Sequence, residues 1–212
     1  MSNLETPTEA FFPATLMPDP DWWSALWPDP CAVLAALGLS AGQSAVDLCC
    51  GNGHFTAAMG AIARDVTAID LDAGLIEQAR ERCDRSGLAN CTFVRGDAYR
   101  LGELVGAPVD FVLMANTFHG VPDKPRLAAA VASVLKPDGW FAVVNWHKRP
   151  REQTSVLDQP RGPRTELRMS SEEVTASIAD SGLRRIRDVE LPPYHYGALF
   201  QRLDPGTSRR AL

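Results

Sequence analysis

The sequence predicts an α/β fold: a doubly wound, mostly parallel, seven-stranded sheet that ends in a C-terminal antiparallel hairpin. The first observation is that short apolar runs alternate with helix-forming segments from residue 31 to residue 146. This alternation is typical of parallel βαβ units with right-handed crossovers. The second observation is that the last two apolar runs, 183–191 and 196–203, have little between them. Such a short connection forces two neighbouring strands to be antiparallel.

The individual elements follow from hydrophobic periodicity and from the residues that bound each run. The five predicted parallel strands lie at 45–50, 65–70, 90–94, 109–115 and 140–146. Helices are predicted at 31–39, 55–63, 72–87, 122–135 and 170–182. Asp72 and Asp123 are expected to cap two of these helices, and the Ser170–Glu173 stretch has the spacing of a capping box. Residues 136–139, Lys-Pro-Asp-Gly, predict a turn before the fifth strand.

Composition limits the class of protein. The chain has 212 residues, 45% of them hydrophobic, which is enough for the core of a single domain at 31–212 with an N-terminal arm at 1–30. The formal net charge of −5 offers no general attraction to nucleic acid or to an anionic membrane. No apolar run reaches the ~20 residues of a membrane span, and the chain does not open with a signal sequence. Five cysteines without framework spacing predict reduced thiols, and hence a cytoplasmic protein.

The stretch at 45–56, AVDLCCGNGHFT, is the strongest local signal. Gly51 and Gly53 follow an apolar strand and precede a helix, so the backbone can turn sharply and a ligand can lie against bare main chain. Three interpretations compete: a plain packing turn, a dinucleotide site and a different nucleoside site. A dinucleotide site requires a third glycine, but Thr56 stands at its position.

This stretch resembles motif I of the class I S-adenosylmethionine (SAM) dependent methyltransferases, although His54 and Phe55 depart from its longest form. Three further features fit the same family in order and spacing: Asp70 after the second strand, the 96–98 sequence Gly-Asp-Ala, and 135–139. The resemblance covers about residues 31–203. It implies a Rossmann-like methyltransferase fold, SAM as cofactor, S-adenosylhomocysteine as product and no metal.

The resemblance also implies which residues hold the cofactor. Asp70 matches the acid that accepts the ribose hydroxyls, Asp97 with Ala98 matches the adenine site, and Asp47 matches the acid near the methionine amino group. The predicted cofactor set is Asp47, Gly51, Asn52, Gly53, Asp70, Leu71, Asp97, Ala98 and Asn116. Carboxylates suit a sulfonium and an ammonium group, whereas a pyrophosphate prefers a helix N-terminus and basic groups.

Methyl transfer needs alignment and exclusion of water, and a base only if the acceptor is protonated. The candidate bases are His119 after the fourth strand, which we favour, together with His195 and His147. For each histidine a structural or solvent-facing role is the competing interpretation.

Two segments are predicted to close the pocket. The arm combines prolines with aromatic residues, so it is either a packing plug or a lid that uses Trp22, Trp23 and Trp27. The Arg- and Pro-rich segment at 148–169 is either a solvated connector or a flap whose Arg161 and Arg164 contact an anionic substrate group.

Tyr194 is assigned to the same pocket. Residues 191–194, Leu-Pro-Pro-Tyr, look like a nucleic-acid amine methyltransferase motif, but that motif follows the fourth strand, where this sequence has Asn116 and Thr117.

The resulting hypothesis is SAM-dependent methyl transfer to a small molecule. The alternatives are an NAD(P)-dependent oxidoreductase and a SAM-binding module without turnover. The sequence leaves open the acceptor atom and whether the protein is a monomer or a homodimer.

Overall fold

The structure is a computed structural model that describes residues 17–203, so the part of the predicted arm at 1–16 lies outside the described residues. Its main feature is a seven-stranded sheet of order β3-β2-β1-β4-β5-β9-β8, with a separate two-stranded sheet formed by β6 and β7. The strands are β1 (Ser44–Leu48), β2 (Asp65–Asp70), β3 (Cys91–Arg95), β4 (Val109–Ala115), β5 (Leu135–Trp146), β6 (Ser155–Val156), β7 (Gln159–Pro160), β8 (Leu183–Leu191) and β9 (His195–Arg202). The helices are α1 (Pro20–Leu26), α2 (Pro30–Leu37), α3 (His54–Ile62), α4 (Ala73–Arg85), α5 (Leu101–Leu104), α6 (Lys124–Val134) and α7 (Ser171–Ser177).

The predicted fold class is confirmed by the strand pairing. Strands β1 to β5 pair in parallel, whereas β9 is antiparallel to both β5 and β8. Strand β1 lies between β2 and β4, so the chain leaves it in one direction and returns on its other side. The carboxyl ends of the strands at this switch point form the crevice in which doubly wound folds bind ligands.

Both faces of the sheet are covered, as expected for parallel strands. Alternate side chains of one strand point to opposite faces. Val112 and Met114 of β4 belong to one apolar cluster, and Phe111 and Leu113 belong to the other. Every residue of β1 is buried, which explains why its sequence reads as an apolar run and not as an alternating pattern.

Two predicted boundaries were wrong. Residues 136–139 are not a separate turn before the fifth strand but part of β5, because Leu135 is buried and already pairs with Val109. The register then shifts, and Asp138 in the left-handed region (φ 61°) absorbs the irregularity. The helix predicted at 170–182 ends at Ser177, and the rest is a turn that exits through Gly182 at φ 82°.

Other predicted elements agree to within one or two residues. Asp72, Asp123 and Ser170 cap their helices, and the capping box at Ser170 is present. The short helix α5 and the β6–β7 hairpin were not predicted. Within residues 17–203, no helix is both long and apolar enough to cross a membrane.

Candidate active site

A cavity of about 1020 Å³ lies at the carboxyl ends of the parallel strands. Its floor is built from residues that follow β1, β2, β3 and β4, and its other walls come from α1 and from the segment at 151–167. The cavity is at the upper end of the ~300–1,000 Å³ typical of small-molecule sites. The switch point of the sheet therefore leads into a partly open cavity with room for a cofactor and a second small molecule.

Asp70 and Gly51 meet directly at this floor. The backbone N–H of Gly51 donates to Asp70 Oδ2 at 2.9 Å, and the N–H of Asp72 donates to Oδ1 at 3.0 Å. Burial raises the pKa of Asp70, although these backbone donors act in the opposite direction. Leu71 is a third backbone donor to this carboxylate, and since a carboxylate has about four lone-pair positions, acceptor capacity remains for a ligand.

The two glycines of the turn have different surroundings. Gly51 (φ 56°) lines the cavity, and a Cβ there would lie 2.7 Å from the sulfur of Met17. Gly53 (φ 78°) does not line the cavity; a Cβ there would lie 2.7 Å from Cα of Ala79 in α4. Asn52 also lies outside the lining, and its carbonyl accepts a hydrogen bond from Arg82 Nε at 3.0 Å. Gly51 thus faces the predicted ligand, whereas Gly53 allows close packing of the turn on α4.

Asp47 is a buried carboxyl group on the cavity wall. Burial raises its pKa to about 7, the hydrogen bond from Thr56 lowers it, and the nearby charge of Asp70 raises it. The Thr56 hydroxyl donates to Asp47 Oδ2 at 2.6 Å, which fixes the orientation of the carboxyl group. A carboxylate in this environment stabilises a cation placed beside it, because little water competes.

The remaining predicted cofactor residues, Leu71, Asp97, Ala98 and Asn116, all line the cavity. Asp97 Oδ1 accepts the N–H of Tyr99 at 2.9 Å, so this acid also caps the turn after β3. Asn116 is in the left-handed region (φ 61°), and neither polar atom of its buried side chain has a hydrogen-bond partner among the described residues. The side chain of Asn116 therefore does not cap a turn within the described residues.

The three predicted histidines occupy different places, and His119 alone among them lines the cavity. His195 is fully buried outside it, with ring centroids 4.4 Å from Trp27 and 4.2 Å from Trp146. Burial lowers the pKa of His195 well below its ordinary value. His147 lies in a separate depression, where Nε2 is 3.0 Å from Glu190.

His54 lines the cavity and was missed by the sequence analysis. It is the first residue of α3, immediately after the glycine turn, and this position was the available signal. Its Nε2 is buried without a hydrogen-bond partner among the described residues. Burial, and then the charge of Arg82, lower its pKa, so the ring is neutral near pH 7.

Of the predicted lid tryptophans, Trp22 and Trp23 line the cavity and Trp27 does not. Trp27 packs against Phe55 instead, with a centroid distance of 5.4 Å. Tyr194 also lies outside the cavity, stacked on Trp146 at 6.0 Å. Trp146 itself lines the cavity, and its role there was not predicted from the sequence.

The segment at 148–169 is ordered by its own contacts. It contains the β6–β7 hairpin and two short 3-10 turns, and we call residues 151–167 the flap. Both predicted arginines, Arg161 and Arg164, line the cavity, and so do Arg151 and Glu166.

Two thiols, Cys49 and Cys50, also line the cavity. Burial is the main cause that raises the pKa of each thiol, and neighbouring acids raise both further. Both therefore stay protonated at neutral pH and are poor nucleophiles. Within residues 17–203 there is no group of three or more His, Cys, Asp or Glu side chains placed to hold a metal ion.

A doubly wound sheet with an acid and a glycine turn joined at its switch point defines a nucleoside-binding α/β protein. Comparison with known proteins narrows the class. Residues 45–139 match the family described as "Methyltransferase domain". The ubiquinone biosynthesis O-methyltransferase of Methylococcus capsulatus is 33% identical over 107 residues, which are 50% of this chain and 45% of that protein. A 23S rRNA (uracil(1939)-C(5))-methyltransferase of Xylella fastidiosa is 39% identical over 67 residues, or 32% of this chain and 15% of that protein.

Structural similarity extends further along the chain. The crystal structure of a SAM-dependent methyltransferase from Aquifex aeolicus has a TM-score of 0.73 and 26% identity, and the match covers 87% of this chain and 94% of that one. By contrast, the matched segment spans less than half the length of the curated relatives given above. Residues 45–139 thus match a methyltransferase domain, and the fold over most of the chain is similar to that of a SAM-dependent methyltransferase.

Proposed function

We propose that this protein transfers the methyl group of SAM to a small-molecule acceptor and releases S-adenosylhomocysteine. The observation that carries the proposal is the 2.9 Å hydrogen bond from Gly51 N to Asp70 Oδ2. This hydrogen bond joins the glycine turn after β1 to the acid at the end of β2, and a nucleoside site requires these two to lie together. Had Asp70 lain away from Gly51, the cofactor would have had no place at the switch point.

The proposed cofactor contacts follow from the groups that remain available. The remaining acceptor capacity of Asp70 serves the ribose hydroxyls, and Asp97 with Ala98 receives the adenine. Asp47 and Asn116 face the methionine end, where an ammonium group supplies donors to Asp47 and the unpartnered amide of Asn116 meets the carboxylate or the acceptor. Charge-assisted hydrogen bonds of this kind are about twice as strong as neutral ones.

Bound SAM supplies a methyl group already activated by the sulfonium. The protein has to hold the acceptor in line with that methyl group and keep water out, which contributes up to ~7–11 kcal/mol in well-oriented systems. We assign water exclusion to Trp22, Trp23 and the flap, and hence the role of a lid to the described part of the arm. If the acceptor is protonated, His119 is the proposed base, since it lines the cavity while His195 and His147 do not.

Two features support a small acceptor. The cavity is roofed by the flap and α1, and the chain carries a formal net charge of −5. A ubiquinone biosynthesis enzyme is among the relatives, whereas similarity to the rRNA enzyme is confined to 67 residues.

Thr56 stands where a dinucleotide-binding turn has its third glycine, which argues against NAD(P) as the cofactor.

Titration calorimetry with SAM, S-adenosylhomocysteine and NADH tests the cofactor assignment. We expect heat with the first two and none with NADH, and the absence of heat with SAM and its product would reject the proposal. Incubation with methyl-labelled SAM and metabolite extracts then separates an enzyme from a non-catalytic module, because a module transfers no label to any acceptor.

A further inference from the structure

We propose that the acceptor carries an oxyanion, a carboxylate or phosphate group, and that Arg151, Arg161 and Arg164 of the flap bind it. This deepens the proposed function and rests on it for the statement that the bound anion is the methyl acceptor. The tryptophans on the same walls indicate that the rest of the acceptor is flat and apolar.

Within the described structure, the three arginines of the flap have no direct carboxylate partner, although the flap also contains Glu152, Asp158 and Glu166. Among residues 17–203, none of these three arginines forms an ion pair with a carboxylate within 4.0 Å. Of the three flap acids, Glu166 alone lines the same cavity as the three arginines. The Nε of Arg161 is buried and has no hydrogen-bond partner among the described residues. A guanidinium in this position gains strongly from an anion with two oxygens, whose geometry matches its planar array of donors.

The flap backbone that carries these arginines is held in place by side-chain hydrogen bonds. Arg168 is almost fully buried and donates to Thr154 Oγ1 at 2.9 Å, to the carbonyl of Arg161 at 3.1 Å and to that of Pro163 at 3.2 Å. Arg151 Nε donates to the carbonyl of Gly162 at 3.1 Å. The loop that carries Arg161 and Arg164 is therefore tied down by other side chains, while their own head groups are left for a ligand.

Aromatic contacts orient the site further. The guanidinium of Arg161 lies 5.2 Å from the ring centre of Trp22, a distance at which the ring face attracts the cation. Gly162 (φ 87°) brings the flap backbone onto Trp146, since a Cβ there would lie 2.7 Å from the indole ring. An apolar body placed against these rings has its anionic substituent beside Arg161.

Matched probes test this inference without knowledge of the natural acceptor. Binding of naphthoate, naphthyl phosphate and uncharged naphthamide is measured by calorimetry, with and without saturating S-adenosylhomocysteine. We expect at least one of the two anions to bind at least ten-fold more tightly than the amide. Which anion binds better distinguishes a carboxylate acceptor from a phosphate acceptor.

The variant R161Q/R164Q should lose this preference, whereas R161K/R164K keeps part of it and R149Q, an exposed arginine outside the cavity, keeps all of it. Equal binding of anions and amide by the wild-type protein would overturn the proposal, as would a preference that survives in R161Q/R164Q. Affinity for S-adenosylhomocysteine should not change in these variants. If the wild-type protein did not bind S-adenosylhomocysteine, the methyltransferase function would be rejected, but the comparison of anions with the amide could still be interpreted.

Discussion

At the scale of single residues, the carboxylate of Asp70 connects the glycine turn to the proposed ribose site. Substitution of Asp70 by Ala should weaken SAM binding by ~2 kcal/mol or more, because charge-assisted hydrogen bonds to the ribose are lost. Calorimetry gives the change directly. Asp65→Ala, at the opposite end of the same strand and paired with Arg64 on the surface, is the matched control and should bind SAM normally. Unchanged affinity in Asp70→Ala would show that the ribose lies elsewhere.

The buried carboxyl group of Asp47 predicts a particular pH dependence of stability. Its pKa is about 7 in the folded protein against an ordinary value of 3.8. Between these two values the folded state holds a proton that the unfolded state has released, so the free energy of unfolding falls as pH rises. The loss is up to ~4 kcal/mol and is complete above the folded pKa.

Asp47→Asn should remove this part of the pH dependence, since an amide does not titrate and its oxygen can still accept the Thr56 hydroxyl. Urea unfolding at about pH 5 and about pH 8 measures it. We expect the wild-type protein to lose more stability than the variant between these conditions. Asp70, whose pKa burial also raises, is present in both proteins, so the difference isolates Asp47. Parallel pH profiles would contradict the assignment.

Residues at strand ends were predictable, whereas residues that depend on tertiary contacts were not. Asp70 and Gly51 are marked by the apolar runs before them, and the fold brings such ends together. Nothing local indicates that Gly53 packs on Ala79 or that His195 is enclosed by Trp27 and Trp146. These contacts join distant parts of the chain, so a single sequence does not reveal them.

At the scale of elements, the packing of the glycine turn on α4 can be measured. Gly53→Ala should cost ~1–2 kcal/mol for the left-handed backbone and a further ~1–3 kcal/mol for the clash with Ala79. Gly38→Ala provides the control, because Gly38 is also left-handed (φ 96°) but has nothing within 4 Å of a built Cβ. Urea unfolding should therefore show a larger loss for Gly53→Ala. Equal losses would mean that α4 moves aside without cost.

The flap should lose its order when the buried guanidinium of Arg168, the residue that follows it, is removed. Arg168→Met keeps an unbranched apolar side chain but removes the guanidinium that lies over Trp146 and donates to Thr154, Arg161 and Pro163. Unsatisfied buried acceptors cost ~1–3 kcal/mol each. We expect faster hydrogen exchange at the Arg161 amide, which donates to the Thr154 carbonyl at 2.8 Å, with β1 amides unchanged. Arg149→Met should leave hydrogen exchange at Arg161 and at the β1 amides unchanged. Slow exchange at the Arg161 amide in Arg168→Met would show that Arg168 does not order the flap.

Elements with a strong pattern were predicted well, and irregular ones were not. Strands β2 and β4 have the predicted bounds because each is an apolar run between polar or glycine-containing segments. The flap was seen as a long loop rich in Arg and Pro. Its β6–β7 hairpin turns through Leu157 and Asp158, both left-handed, and no Asn-Gly or Asp-Gly pair announces such a turn. Its order comes from Arg168, whose partners lie up to fourteen residues away.

At the scale of the whole molecule, the fold class was predictable from the sequence because crossover rules leave few topologies. Alternation of strands and helices up to β5 and the short β8–β9 connection were sufficient for the fold class. The distribution of charge around the cavity could be predicted only in part from the sequence. Carboxylates follow β1 and β2, whereas the arginines lie on the flap, so a cationic cofactor and an anionic acceptor would each face the opposite charge.

This whole-molecule charge pattern leads to a prediction about the class of acceptor. A formal net charge of −5 disfavours binding to nucleic acid, where phosphate neutralisation supplies most non-specific affinity. In a cell extract incubated with methyl-labelled SAM and the purified protein, label should accumulate in the small-molecule fraction after ultrafiltration. Nuclease treatment should not change its distribution. The Asp70→Ala variant is the control for background transfer by other enzymes. Label retained in a nuclease-sensitive macromolecular fraction would instead indicate an RNA acceptor and would contradict the proposed small-molecule acceptor.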